Sequence, residues 1–560
     1  MVVICTMVDM HIVENKSKSG KKIYRSTLLR ESYREDGKVK KRTIANLSNC
    51  TPLEIEAIRL ALAHKDDLCA LGALSESVKL HEGLSVGAAW SVYQVAKELG
   101  IEEALGKDFE GKLALWQVMA RVIGRGSRLS AVRLAQIHAA GDVLDMKRGF
   151  DENNLYDNLS WLSENQAKIE RKLFELRRGG NKPKLFLYDV TSSYLEGKSN
   201  HFGEYGYNRD GKKRKKQIVI GMLCDESGEP VSTEVFRGNT QDPKTFESQV
   251  KKVLERFGCK DVTIVGDRGM IKTVQIESLP EGFHYITAIT KPQIESLINK
   301  GILQLGLFEE KLCEIKDDEV RYILRRNPVR AEEMSKTRVS KLQSIEKYIV
   351  KKNSYLKEHP KSSVSKALET TRERLTRLKL DGWVQIKEED RTLKIERAEE
   401  ALKEASYLDG CYAIKTDLEE NEADTNLVHE RYKDLTEVEK AFRDCKTVNL
   451  EVRPVYVRKE DSTRGHVFVV MLAYMIIRRL RRAWKNFDLT VEEGLAQLTT
   501  ICSMEVTIKG QKASCQKIPR PRQQSHELLE ALQIKLPEVL PSRNIRVVTR
   551  KKLAVRRKSQ

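Results

Sequence analysis

The sequence predicts a mixed α/β protein in which a mixed sheet carries helices on its faces, preceded by a β-hairpin and a helical region. Three observations predict it. KLFLYDV, QIVIGMLCD and PVSTEVFRGN are apolar runs of strand length, followed by the helix PKTFESQVKKVLERFG and the strands VTIVGDRG and HYITAIT. That βββαβ order sets helices against a sheet. Residues from about 52 to 178 repeat their apolar positions at helical spacing. Asp36-Gly37, between two polar alternating segments, is a dipeptide suited to a tight hairpin turn.

In chain order, residues 1–50 read as an N-terminal β-rich segment of short polar strands, KKIYRSTLLRESYRED and KVKKRTIANL. Residues 51–178 read as a helical, DNA-binding domain. TPLEIEAIRLALA opens on Thr51 with Glu54 three residues later, the pattern of a capping box. GAAWSVYQVAKELG has the pattern of the opening half of a helix-turn-helix, which an amphipathic core helix shares. Residues 179–299 hold the first strands of the sheet, with Gly228 in the turn between the second and third. Pro243 and Gly258 bracket the helix after them. Residues 300–408 interrupt the sheet with charged helical stretches, a break at His359-Pro360 and a strand pair, WVQIKEED and RTLKIER. Over 409–485 the sheet pattern resumes in GCYAIKTD, then come the long helix NLVHERYKDLTEVEKAFRDCK and an apolar helix. Residues 486–560 form a C-terminal region with a basic tail.

The chain has 560 residues, room for roughly three or four domains. A hydrophobic content of 40% and only 13 prolines exclude a mainly disordered or linker-dominated protein. Lys and Arg number 100 against 81 Asp and Glu, a formal +19, which predicts a polyanionic partner: nucleic acid or an acidic membrane surface. The longest apolar run, Val467 to Ile477, is half a membrane span and ends in Arg478-Arg479, so it reads as a buried helix and the expectation is no membrane. The start MVVICTMVDMHIVENK lacks the basic region of a secretory signal. Ten scattered cysteines with no C-x-x-C pair predict a reducing cytosol, and ten histidines show no metal-ligand spacing.

Two acids end buried strands, Asp189 in LFLYDV and Asp267 in TIVGDRG. Either alone reads as a turn or cap acid. A carboxylate at the end of an apolar strand needs a cation or a donor to meet it. Two from neighbouring strands converge on one volume, where a hard divalent ion such as Mg²⁺ takes oxygen ligands. Glu439 is the third candidate: Tyr432 stands seven residues before it and Lys446 seven after. Seven residues advance about 700°, within about 20° of two turns, so the three share one face of a continuous helix. A solvated helix face would carry the same residues. Val438, Ala441, Phe442 and Cys445 supply its apolar side.

Together these segments resemble DDE transposases of bacterial insertion sequences, closest to the group with a Y-x2-R-x3-E-x6-K signature. Here it reads Tyr432-x2-Leu435-x3-Glu439-x6-Lys446, with leucine where that group has arginine. YDVTSSYLEG, KKQIVIGMLCDESGEPVSTEVFRGNTQD, GDRGM, LDGCYAIKTD, VRPVYVR, GHVFVVMLAY and the N-terminal IYRSTLLRESYREDGKVKKRTIANL carry the likeness over most of the chain, the extreme C-terminus excepted. The resemblance implies an RNase H-like catalytic core over 179–299 and 409–485, with an insertion domain at 300–408 in the 172-residue interval between Asp267 and Glu439. It implies that Asp189, Asp267 and Glu439 hold two Mg²⁺ (or Mn²⁺) ions. It also implies cleavage at element ends and transfer of the 3′-OH ends into target DNA. Tyr432 and Lys446 would contact DNA near the cleaved end, with Arg443 or Arg453 replacing the absent arginine. The implied partners are double-stranded DNA, as terminal inverted repeats and target, and a second copy of the chain in a synaptic homodimer. The implied location is the bacterial cytoplasm, at the nucleoid.

A metal-dependent nuclease of the same fold shares the triad, and an idle DNA-binding regulator descended from a transposase shares the rest; three acids at the expected spacing and the additional domains favour the transposase. Trp383 and Tyr348 could stack on an unpaired base, although a Trp at the start of a strand is more often core. The positive charge concentrates in two places. RDGKKRKK at 209–216 contains Lys212, Lys213, Arg214, Lys215 and Lys216, expected DNA contacts on the loop after the Asp189 strand. The last twenty residues carry eight Lys and Arg and no acid, expected to be a disordered tail adding nonspecific affinity.

Overall fold

The computed structural model describes residues 9–19, 22–35, 38–65, 78–197, 199–212, 214–447, 450–453, 457–508 and 514–550. The chain divides into two compact units, one formed by 1–83 with 502–519 and the other by 84–501 with 520–560.

In the first unit, β1 (Asp9–Ser19), β2 (Lys22–Glu35) and β3 (Lys38–Asn46) form an antiparallel sheet in that order. Glu35 pairs with Lys38, the register a two-residue connection requires, and Asp36-Gly37 itself lies outside the described residues. The strands are longer than the short ones expected. Thr51 caps the helix Pro52–Ala63 with the reciprocal bonds of a capping box, Glu54 N–H to Thr51 Oγ1 at 3.3 Å and Thr51 N–H to Glu54 Oε2 at 2.7 Å. β4 (Val78–Ser85) joins β15 (Cys502–Ile508) and β16 (Ser514–Lys517) in a three-stranded sheet. The expected boundary at residue 50 and the expected single region 486–560 are therefore corrected. Backbone pairing between segments over 400 residues apart unites the two ends of the chain, and no local pattern announces such a ladder.

The second unit is built on an eight-stranded sheet ordered β10-β11-β14-β9-β8-β5-β6-β7. β5 (Leu185–Tyr194), β6 (Gln217–Asp225) and β7 (Pro230–Arg237) are an antiparallel meander. Gly228, at φ +72°, makes the β6–β7 turn that the sequence reading places there. After the helix Asp242–Lys251, β8 (Val262–Gly266) runs parallel to β5, and β9 (Phe283–Ala288) parallel to β8. β14 (Cys411–Thr416) closes antiparallel on β9. Two strands missed by the sequence reading, β10 (Cys313–Asp317) and β11 (Val320–Arg326), extend the sheet beyond β14. The expected insertion start at 300 is thus corrected to a point after β11. CEIKDDEVRYILRR is charged, as suits the edge strand β10, and shows no long apolar run.

The inserted segment after β11 has its own core. The helices Pro328–Glu358 and Val364–Leu378, broken at His359, close over the hairpin β12 (Val384–Glu389) and β13 (Thr392–Arg397), with Ile345, Leu375, Leu380 and Trp383 between them.

One face of the main sheet, with Phe186, Tyr188 and Val190 of β5, packs on Phe246, Val250 and Val253 of the helical segment after β7 and on Phe174. The long apolar helix Glu460–Ala483 is buried through Val467–Ile477, as expected. It packs against β7 and against the helices Gly87–Glu98, Phe109–Ile123 and Glu152–Arg178. Gly465 lies on the backbone of Leu159, where a Cβ would come within 2.0 Å of the carbonyl oxygen. The helices of 84–178 consequently share a core with the sheet, while the helix Pro52–Ala63 falls in the other unit, so 51–178 is not one compact body. Gly87–Glu98 buries Ala88, Val92 and Val95 as a core helix. Among the described residues no helix is long and apolar enough to cross a membrane.

The described part of the basic tail is bound, contrary to the expectation of disorder. Val547 pairs with Phe150 in a parallel bridge, Ile545 abuts Gly141, and the Arg550 N–H donates to both carboxylate oxygens of Glu152 at 3.0 and 3.1 Å. Residues 551–560 lie outside the described residues.

Candidate active site

Asp189 follows from strand periodicity. Alternate residues of β5 point to opposite faces, so if Phe186, Tyr188 and Val190 face one core, Leu187, Asp189 and Thr191 face the other. That second face meets the helices Leu435–Lys446 and Glu460–Ala483, whose Phe442, Cys445, Val467 and Met471 border a small cavity with Thr191. Asp267 follows from sheet register. In the parallel β5–β8 ladder Tyr188 pairs with Gly266, so Asp189 and Asp267, the next residues, stand side by side on strands about 4.8 Å apart. The expected strand end at Asp189 is corrected, since β5 continues to Tyr194 and only Asp267 lies past the end of its strand. Glu439 comes from the helix Leu435–Lys446, held on β5 and β6 by Val438, Ala441, Phe442 and Cys445, each at most 5% exposed.

The three acids line one open cleft of about 400 Å³ together with Arg209, Asp242, Arg443 and Lys446. Burial first, then the neighbouring carboxylates of Asp267 and Glu439, push the Asp189 carboxyl up to about 7 against the opposing pull of the Val190 N–H and Arg209. Among the described residues no three His, Cys, Asp or Glu side chains form a ready ion-ligand cluster. The carboxylates therefore border a cleft and do not close a cage. Hard carboxylate oxygens gathered on one open cleft still fit divalent ions, with water and substrate oxygens completing each shell.

The expected continuous helix is interrupted: Thr425–Lys433 and Leu435–Lys446 meet in a turn at Asp434. Tyr432 and Glu439 thus sit on different helices, but Tyr432 Oη still reaches the site, donating to Asp267 Oδ1 at 3.4 Å. Burial and that carboxylate push the phenol's pKa up, away from phenolate. Lys446 Nζ lies 2.9 Å from Asp210 Oδ1. Leu435, in the signature's arginine position, is buried and cannot reach a phosphate. Of its expected substitutes, Arg443 lines the cleft, whereas Arg453 donates to Tyr194 Oη and stacks over that ring, bordering a different cavity.

The basic segment 209–216 lies where expected, between β5 and β6. Lys212 stands over the Tyr194 ring, Lys215 Nζ lies 3.5 Å from Glu196, Lys216 stands over Tyr205, and Arg214 has a left-handed backbone. Lys213 lies outside the described residues. Sequence reasoning missed Asp242 and Arg209, which pair at 2.7 Å in the cleft. Asp242 begins the helix after β7, and its position gives no apolar strand to flag it. Trp383 is 5% exposed in the core of the inserted domain and unavailable for stacking. Tyr348 is half-buried beside it, with Arg374 and Lys352 over its ring.

Residues 180–476 match the family model of the transposase DDE domain, and residues 10–74 match that of the N-terminal domain of IS1634 family transposases. No curated protein matches the chain. Among solved structures there is a likeness to the piggyBac transposase synaptic complex with hairpin DNA, at 11% identity over 69% of each chain with a TM-score of 0.34.

Proposed function

The chain belongs to the DDE transposase domain family, and from that premise we propose that Asp189, Asp267 and Glu439 are the carboxylates around which it breaks and rejoins DNA. It is a transposase with an RNase H-like core, an enzyme that cleaves and joins DNA. Supporting the residue assignment is one observation above others: the parallel β5–β8 register sets Asp189 beside Asp267 in the cleft that Glu439 also lines.

The three carboxylates would hold two Mg²⁺ ions, with Mn²⁺ as a substitute, and the ions would stabilise the attacking and leaving oxygens of an in-line displacement at phosphorus. Water attacks the phosphodiester at the element end, forming a new P–O bond as the P–O3′ bond breaks and leaving a 3′-OH and a 5′-phosphate. That 3′-OH then attacks a target phosphodiester, joining to its 5′ side and releasing the target's 3′-OH. Tyr432, hydrogen-bonded to Asp267, orients the carboxylate and positions DNA; its raised pKa suits a donor and not a covalent nucleophile. Lys446 and Arg443 in the cleft, and Arg453, Lys212, Lys213, Arg214, Lys215 and Lys216 around the segment after β5, grip the flanking phosphates. Terminal inverted repeats are the proposed substrate ends, held in pairs by a homodimer at the bacterial nucleoid.

The test combines purified protein, Mg²⁺, a duplex bearing the inverted repeats that flank the gene, and a target plasmid. Joining of the ends to the plasmid is expected. Cutting without joining would indicate a nuclease, and binding alone a regulator.

A further inference from the structure

A second cleft in the sheet-bearing unit, of about 300 Å³, holds none of the three acids and shares Arg453 with the DNA contacts proposed above. Arg121, Arg125, Ser127, Arg128, Glu451 and Arg453 line it. Arg121 lies in the last turn of the helix Phe109–Ile123, and Arg128 is the first residue of the ten-residue helix Arg128–Ile137. Ser127 caps that second helix, its hydroxyl accepting from the Ser130 N–H at 3.3 Å. The positive end of a helix thus borders the cleft.

Arg121 and Arg128 are each 5% exposed. Their hydrogen bonds run to neutral acceptors. Arg121 Nη1 donates to the carbonyls of Arg125 at 3.2 Å and Leu450 at 3.3 Å. Arg128 Nη1 donates to Gln117 Oε1 at 2.6 Å, and its Nη2 lies 3.4 Å from His466 Nδ1. The other nitrogen of His466 faces the Val452 carbonyl at 3.0 Å, so a neutral ring with its proton there accepts from Arg128. Arg121 Nε is buried with no hydrogen-bond partner among the described residues. Among the described residues Glu451 is the one carboxylate lining the cleft; it is exposed, and its charge favours protonated Arg121 without a hydrogen bond to it.

Two buried guanidiniums, one in the last turn of a helix and one at the start of the next, neither hydrogen-bonded to a carboxylate among the described residues, exceed what a structural clip requires. Carbonyl clamps need donors, not two like charges taken out of water. An anion in the cleft would meet both charges and the helix terminus. Arg453 links the cleft to Tyr194, the last residue of the strand that carries Asp189, about 17 Å along β5. That distance spans a few nucleotides of a DNA strand.

We propose that this cleft is a phosphate site, in which Arg121, Arg128 and the helix start take a phosphate group, with Arg125 and Arg453 at its rim. In the working enzyme that group is a backbone phosphate of bound DNA a few nucleotides from the cut, which rests on the reading that Asp189 marks the point of cleavage.

Two measurements on the full-length protein without divalent metal test it. First, the thermal midpoint is followed as inorganic phosphate replaces chloride at constant ionic strength. A rise is expected in the wild type, and at most about a third of it in Arg121→Lys and Arg128→Lys, which keep charge but lose the planar fork. If either variant fails to fold, Arg125→Gln at the rim gives the same comparison. Second, single methylphosphonate linkages are walked along a duplex carrying the element's terminal repeat. One linkage away from the cut should cost about tenfold in affinity, and that cost should vanish in Arg128→Lys while the others persist. Stabilisation by phosphate equal in wild type and variants overturns the site. Arginine-dependent stabilisation with no responsive linkage upholds a site for free phosphate and overturns the DNA assignment. Because binding is read without metal, an Asp189→Asn protein should show the same linkage effect, so failure of the triad and failure of this site are separable.

Discussion

Lys446 Nζ and Asp210 Oδ1 lie 2.9 Å apart, joining the last turn of the Glu439 helix to the basic segment after the Asp189 strand. Both side chains are about one-fifth exposed, and the other oxygen of Asp210 accepts from the Tyr194 N–H at 3.2 Å. The pair holds the lysine at the rim of the cleft before any substrate binds. Lys446→Ala should weaken end binding about 3- to 10-fold and reduce the slope of log affinity against log salt by about 1, as expected when one phosphate contact is lost. Its cost in stability should stay under about 1 kcal/mol. Binding titrations at several salt concentrations check both; an unchanged salt slope would remove Lys446 from the DNA contacts.

Asp189, Asp267 and Glu439 crowd negative charge into one cleft, so divalent ions should stabilise the folded protein as well as activate it. Adding Mg²⁺ to metal-free protein is expected to raise the thermal midpoint, and Asp189→Asn, Asp267→Asn and Glu439→Gln should each diminish the rise. All three should lower cleavage by at least about 100-fold while sparing end binding. Calorimetry and a cleavage assay on the same preparations decide it, and full activity in any variant refutes the role of that residue.

The bound segment 541–550 predicts a structural cost of truncation. Removing residues 541–560 takes away the Val547–Phe150 bridge, the bonds of Arg550 to Glu152, and the ion pairs of Arg543 with Asp145 and Arg550 with Asp151. The midpoint should drop by at least about 2 °C, equivalent to about 2 kcal/mol in a unit of about 460 residues. A tail that served only nonspecific DNA affinity would leave the midpoint where it was.

His429, whose Nε2 lies 2.6 Å from Tyr412 Oη, is pushed down to about 4 by burial and by nearby Lys433 and Arg325. An unfolded chain takes up this proton near its ordinary value of 6.5 and the folded protein does not. The contribution to stability is therefore complete above about 6.5 and declines as pH falls from there toward 4. Denaturant unfolding at pH 7.5 and pH 5 should show a smaller loss in His429→Gln than in the wild type; equal losses would place the acid sensitivity elsewhere.

Trp383 fills the core between the two long helices of the inserted domain and the β12–β13 hairpin. Trp383→Ala should cost about 3–5 kcal/mol through the cavity it leaves. A binding deficit in this variant should track the fraction unfolded, as measured by circular dichroism on the same samples.

The strands and helices on either side of Asp189 and Asp267 were legible because buried strands and capped helices carry short-range signals: apolar runs, a turn glycine, a proline in the first helical turn. Glu439 was legible through its seven-residue spacing to Tyr432 and Lys446, a pattern a solvated helix face shares, and through the motif it shares with a family. Its helix was read as continuous, since the turn at Asp434 leaves the apolar spacing unbroken. β10 and β11 escaped notice because their charged residues leave no long apolar run. Asp242 and Asp210 escaped because an acid in a loop or first helical turn looks the same whether or not a cleft lies beneath it.

By itself the sequence determined the βββαβ order, the buried apolar helix, the three acids and the basic segment beside them, all properties of a residue and its near neighbours. Only the tertiary structure decided which acids share a cleft with which cations, that residues 502–519 complete a sheet with β4, that the described part of the tail is a bound strap, and that two buried arginines have no carboxylate hydrogen bond among the described residues. These depend on pairing across hundreds of residues, where register and burial arise from the whole chain collapsing at once.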